Sequence, residues 1–149
     1  MKNDTKYILR QNRPADTQAM FEIWEEAVKA THHFLSQNDI VAIGQQVKDY
    51  LANATFLVAT DKTHTLLGFM GMTENKIDSL FVHPHYFGKG LGTLFIQYAE
   101  SHHQVLYVDV NEDNNQAKVF YERMGFKILV RSELDDEGRP FPILKMIRS

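Results

Sequence analysis

A chain of 149 residues with 44% hydrophobic content has enough material for one domain with a real core. A formal net charge of −3 argues against a nucleic-acid partner, and the absence of cysteine excludes disulfides, zinc–thiolate sites and a cysteine acyl-enzyme. No repeat, low-complexity run or proline-rich linker divides residues 1–149, and Met1–Lys6 precedes no long apolar run. The expectation is therefore a single cytoplasmic domain with no signal peptide, membrane span or membrane partner.

In chain order, Tyr7–Arg10 reads as a first strand. Pro14, suited to an early helical position, opens a helix with apolar residues Met20, Ile23, Trp24, Ala27 and Val28 at helical spacing. Thr31–Leu35 interrupts it, and Ser36 with Asp39 marks a second helix start, followed by the stripe Ile40, Ile43, Val47 and Leu51. Thr55–Thr60 and Thr65–Met72 read as a hairpin around Asp61-Lys62, and Lys76–Val82 as a further strand. Leu91, Leu94, Phe95, Tyr98 and Ala99 would form the buried face of the next helix. Val105–Val110 reads as a near-continuous apolar strand, as where helices cover both faces of a sheet. Ala117–Met124 is helical, with Gly125 placed for a left-handed cap; Phe126–Ser132 and Pro140–Ile147 pair around Asp135–Gly138. Periodicity by itself gives a mixed α/β domain.

The segment Leu80–Phe95 carries the chemistry. A strand ends at Pro84, Gly88, Gly90 and Gly92 follow at every second position, and a helix begins, so backbone N–H groups collect at the positive end of a helix dipole. That bed suits a pyrophosphate. A P-loop fails because Lys89 lies between two glycines and Thr93 follows Gly92 directly. A dinucleotide fingerprint fits Gly88 and Gly90, puts Thr93 at the third glycine and finds an acid at Asp109, but too little chain follows for two mononucleotide-binding halves. An acyl-CoA site is the third reading.

The third reading has a family behind it. Gly90 and Gly92 stand as the glycines of motif A of the GNAT superfamily of N-acetyltransferases, with Phe87 where the family has Arg or Gln. Asn114, Ala117, Tyr121, Gly125 and Phe126 match motif B in register, so the chain from about Tyr7 to Met146 resembles that family. Thr-His-x-Phe-Leu at residues 31–35 and the Arg131–Pro142 segment resemble its bacterial YjaB-type branch. The resemblance implies the α/β GNAT fold, a mixed sheet in the order β-α-α-β-β-β-α-β-α-β-β, over residues 1–149. It also implies acetyl-CoA as cofactor and direct acetyl transfer to a small-molecule or peptide amine. A non-catalytic acyl-CoA-binding module on the same fold is the alternative. The acceptor's identity stays open, as does the choice between monomer and homodimer.

Site residues follow from the same resemblance. Cofactor contacts are expected from Leu80, Phe81 and Val82 through main chain, from Phe87, Gly88, Lys89, Gly90, Leu91, Gly92 and Thr93, and from Asn114, Ala117 and Tyr121. Tyr121 is the candidate donor to the leaving thiolate. Asp78, on the strand face of Leu80 and Val82, is the candidate base through water, because Lys76 stands where many relatives carry a glutamate. His32, His33 and Phe34 are the candidate acceptor contacts. His83 and His85 flank Pro84 without an evident third ligand, so no metal is expected, and Asp109–Asp113 lacks the glycine and glutamate of a calcium loop.

Overall fold

The computed structural model describes residues 6–149; Met1–Thr5 of the N-terminal stretch lie outside the described residues. The elements are β1 (Ile8–Gln11), a 3-10 turn (Pro14–Asp16), α1 (Thr17–Thr31), α2 (Gln37–Asn53), β2 (Phe56–Thr60), β3 (Leu66–Thr73) and β4 (Lys76–Val82). A second 3-10 turn (Pro84–Tyr86), α3 (Leu91–Glu100), β5 (Leu106–Asn111), α4 (Asn115–Arg123), β6 (Lys127–Ser132) and β7 (Ile143–Arg148) follow. The sequence order of strands and helices is the one the resemblance implies. Strand order in the sheet is β1-β2-β3-β4-β5-β7-β6. Antiparallel ladders join β1 to β2, β2 to β3, β5 to β7 and β6 to β7, and a parallel ladder joins β4 to β5. No helix among the described residues is long and apolar enough to cross a membrane.

The chain divides into two compact units, one running up to Gly71 and adding Ser79–Gly92, the other made of Met72–Asp78 and Thr93–Ser149. In the first, the helical apolar spacing does what it predicts: Met20, Ile23, Trp24 and Val28 of α1 and Ile40 and Leu51 of α2 pack on Phe56 and Val58 of β2 and Phe69 of β3. Within the α2 stripe, Ile43 and Val47 are only partly buried. Gly44 takes the closest approach to α1, where a Cβ would sit 3.5 Å from the Trp24 ring. An aromatic row crosses this unit: Tyr50 against Phe56 at 5.0 Å, Phe56 against Phe69 at 5.6 Å, and Phe69 against Phe81 of β4 at 5.7 Å between ring centroids.

In the second unit two expectations are corrected. Tyr98 is 40% exposed and stacks on His102, while Ile96 takes the buried place in α3, because the helix's covered face turns out to be Leu91, Phe95, Ile96 and Ala99. β5 is not covered on both faces: Leu106, Val108 and Val110 are buried, whereas Tyr107 between them is exposed and Asp109 partly so. The strand alternates because Tyr107 and Asp109 sit on a face that carries charge instead of core.

The start of α2 is closed by reciprocal bonds. Ser36 Oγ accepts from the Asp39 amide at 3.0 Å, and the Asp39 carboxylate accepts from the Ser36 amide at 2.9 Å. Ser36→Ala should cost about 1 kcal/mol and lower the melting temperature by about 2–5 °C. A double variant with Asp39→Ala should lose less than the sum, since either change breaks the same box; calorimetric melts measure this.

Candidate active site

β4 builds the first part of the site. Its Ile77, Ser79 and Phe81 side chains alternate onto a covered face, with Phe81 against the α1–α2 cluster, while Asp78, Leu80 and Val82 take the other. The amides alternate too. His83 N–H donates to Leu67 O at 2.8 Å, so by alternation at this end of β4 the Phe81 amide points toward β3 and those of Leu80 and Val82 to the opposite edge. At the start of the strand Asn75 O instead accepts from Tyr107 N–H of β5. Of the three main-chain contacts expected, Leu80 and Val82 can offer an outward N–H, whereas Phe81 turns its N–H inward.

After Pro84–Tyr86 the chain enters the glycine loop. Gly88 and Gly90 hold φ of +74° and +86°, a left-handed conformation that side chains resist. A Cβ at either would meet nothing within 4 Å, so these glycines are needed for backbone direction, with open space around them. α3 starts at Leu91, directly after Gly90, so the residue at its N-cap has no side chain to accept from the first-turn amides. Lys89 is exposed beside them; Leu91 buries its side chain and has only main chain to offer. Phe87 is partly buried at the end of the 3-10 turn and brings no hydrogen-bond donor from its side chain. His83 Nδ1 accepts from the His85 amide, and no group of three His, Cys, Asp or Glu among the described residues converges as a metal site would.

α4 supplies the motif B residues. Asn114 is buried and its Oδ1 accepts from the Ala117 amide at 3.1 Å, so the Asn-x-x-Ala spacing is that of a helix cap. At the far end Gly125, at φ +96°, lets the Phe126 amide reach Tyr121 O and the Gly125 amide reach Glu122 O, closing the helix in a Schellman turn. Tyr121 is 6% exposed, its ring against Phe120 and Phe126. Burial pushes its phenol up from the ordinary tyrosine value, so the hydroxyl keeps its proton throughout the neutral range.

Two charged positions of β4 have defined partners. Lys76 is bonded to Asp109 at 2.9 Å, and Lys145, the cross-strand partner of Asp109, reaches the same carboxylate oxygen at 3.4 Å. The hydrogen bond it donates to Asp109 holds the Lys76 ammonium above its ordinary value, so Lys76 is a committed cation. Asp109, weighed above as a ribose acid, is thus the anchor of two lysines. Asp78 is exposed and accepts from Thr73 Oγ1. Sequence reasoning passed over Ser79, which is buried between Ile77 and Phe81; a polar residue at an inward position of an otherwise apolar strand face was the available signal.

His32 caps the C-terminal end of α1, bonds Thr31 Oγ1 through Nδ1 at 2.8 Å, and lies 5.3 Å from the Phe34 ring. Burial, aided by His33, pushes it down from 6.5 to about 4, so the imidazole is neutral at pH 7; His33 is exposed. The unfolded chain then binds the extra proton between these two values. Stability contributed here is complete above pH 6.5 and is lost as pH falls toward 4. The loss should reach about 3 kcal/mol in urea titrations, and His32→Gln should flatten that slope.

Comparisons with known proteins identify the family and the fold. The family model described as Acetyltransferase (GNAT) domain matches residues 52–128. Peptidyl-lysine N-acetyltransferase YjaB of Salmonella typhimurium is 37% identical over 139 residues, covering 93% of this chain and 96% of the relative. Its Escherichia coli namesake is 36% identical over 138 residues, with 93% and 94% covered. The solution structure of apo-form YjaB from Escherichia coli matches with a TM-score of 0.91 at 35% identity, over 95% of this chain and 96% of that one. An uncapped glycine-fed helix, a strand with outward amides and a capped helix carrying a buried tyrosine thus stand where both sequence and fold match acetyltransferases: the chain belongs to the GNAT family of acetyl-CoA-dependent N-acetyltransferases.

Proposed function

We propose that this chain moves the acetyl group of acetyl-CoA directly onto the ε-amine of a lysine in a peptide or protein. The carrying observation is the left-handed Gly88–Gly90 turn feeding an α3 start with no side-chain cap, in a chain whose YjaB relatives are named as peptidyl-lysine N-acetyltransferases. In this reading residues 1–149 act as one catalytic domain in the cytoplasm, where acetyl-CoA and protein lysines meet. The amides of Gly88–Thr93 take the pyrophosphate, assisted by Lys89 in place of a donor at Phe87. Asn114 and Ala117 serve the cofactor by fixing the start of α4.

Three needs define the chemistry. A lysine amine with pKa near 10.4 costs about 4.6 kcal/mol to deprotonate at pH 7. Asp78 receives that proton through water, and His32, His33 and Phe34 contact the acceptor, with His32 accepting a hydrogen bond as a neutral ring. As the C–N bond forms, the carbonyl oxygen gains charge and takes the N–H of Leu80 or Val82. As the C–S bond breaks, Tyr121 O–H stabilises the departing thiolate. Because burial makes that phenol a weaker acid, it acts as a hydrogen-bond donor, and the thiolate takes its proton finally from solvent.

Incubation with acetyl-CoA and a lysine peptide should release free CoA thiol and leave one acetyl group on the lysine by mass spectrometry. An amine panel without turnover on any member would sink the reading. Gly90→Val should raise the acetyl-CoA dissociation constant at least about tenfold, a loss of about 1.4 kcal/mol, because the side chain cannot hold the +86° φ. Tyr121→Phe should lower the single-turnover rate by about 10²-fold with acetyl-CoA affinity nearly unchanged, since the charge it meets exists mainly in the transition state.

A further inference from the structure

The least expected polar arrangement in the molecule lies under β4, one residue before the outward amides. Ser79 is 9% exposed, and its Oγ accepts the Gly71 N–H at 3.1 Å and meets the Tyr50 hydroxyl at 2.9 Å. A strand amide thus donates to a side chain, and Ser79 Oγ ties Gly71 of β3 to β4 at this point. The joint is tight. A Cβ on Gly71 would sit 2.5 Å from Tyr50 Oη and 2.8 Å from both Ser79 Oγ and a Phe56 ring carbon. Two positions further along, the Phe81 ring closes the aromatic row from Tyr50 through Phe56 and Phe69. Residues 79 and 81 are therefore each held from the same face, by hydrogen bonds and by ring packing, with Leu80 between them.

We propose that Ser79, through its bonds to the Gly71 amide and the Tyr50 hydroxyl, is a positioning residue that aims the Leu80 and Val82 amides at the thioester carbonyl. This rests on the acetyl-transfer reading above. Without the Ser79 hydroxyl the buried Gly71 N–H loses this acceptor and Tyr50 loses its partner on β4, so β4 can shift to bring a carbonyl closer to the amide. Such a shift rotates the neighbouring peptide planes and misdirects the donors, while the Phe81 ring keeps the strand packed. Tyr50 acts at one remove, by holding the Ser79 hydroxyl in the rotamer that faces Gly71.

The discriminating measurement is the ratio of affinities for acetyl-CoA and CoA, ligands that differ only in the acetyl group. Ser79→Ala should weaken acetyl-CoA about tenfold while CoA changes less than about twofold, and slow single turnover by a similar factor. Tyr50→Phe should move the same ratio in the same direction by less, and Ser79→Thr, which keeps the hydroxyl, should restore it. A folded Ser79→Ala protein, judged by near-ultraviolet circular dichroism, overturns the proposal if both ligands weaken equally or neither does. If the alanine variant fails to fold, Tyr50→Phe decides, and an unchanged ratio overturns it. Failure of the wild-type protein to acetylate any amine strikes the transfer reading instead and leaves the affinity ratio readable.

Discussion

The parity of β4 is the constraint on which the rest depends. A strand offers N–H groups alternately to its two edges, so within a regular stretch one fixed bond sets the direction of its immediate neighbours. Here that bond runs from His83 N–H to Leu67 O. It assigns the Phe81 amide to the inner neighbour and turns those of Leu80 and Val82 to the other edge. A slip of one residue would bury Asp78, Leu80 and Val82 in place of Ile77, Ser79 and Phe81. The large apolar ring of Phe81 in the α1–α2 cluster makes that slip costly, so the packing of the core and the aim of the amides are one decision.

The glycine loop solves a different problem with the same material. Side chains that commonly hold phosphates are scarce in it: Phe87 brings no donor and Lys89 is the single cation between Gly88 and Gly92. In the proposed reading affinity comes from peptide dipoles, which are useful only if the backbone turns back on itself. Positive φ at Gly88 and Gly90 achieves the turn, and a helix start with no side-chain cap leaves its first amides in need of an acceptor. In the same proposed reading an anion does at α3 what Ser36 does for α2.

Charge on the sheet is spent on structure. Lys76 and Lys145 converge on one oxygen of Asp109, so the lysine that stands where many relatives carry a glutamate is held in an ion pair. Asp78 on the same strand is exposed and hydrogen-bonded by Thr73, and it is the carboxylate we propose as the proton acceptor. The lysine pairing also explains why β5 alternates: the Asp109 carboxylate needs its two lysines at hand and cannot lie under a helix without them.

Local chemistry was enough to settle a good deal of this protein from its sequence. Apolar spacing placed α1 and α2, Ser36 with Asp39 marked a cap that the structure closes, and Gly125 stands in the left-handed turn its position required. The two motifs gave the family, because their residues lie within short segments whose register the chain itself fixes. Tertiary structure decided what depends on partners distant in sequence. Tyr98 faces water because helix packing selected Ile96 instead, and Asp109 binds lysines that lie 33 and 36 residues away. Ser79 meets Tyr50 across 29 residues. Periodicity reports which face of an element is apolar, but a hydrogen bond between distant strands and helices exists only once the fold has brought its two ends together.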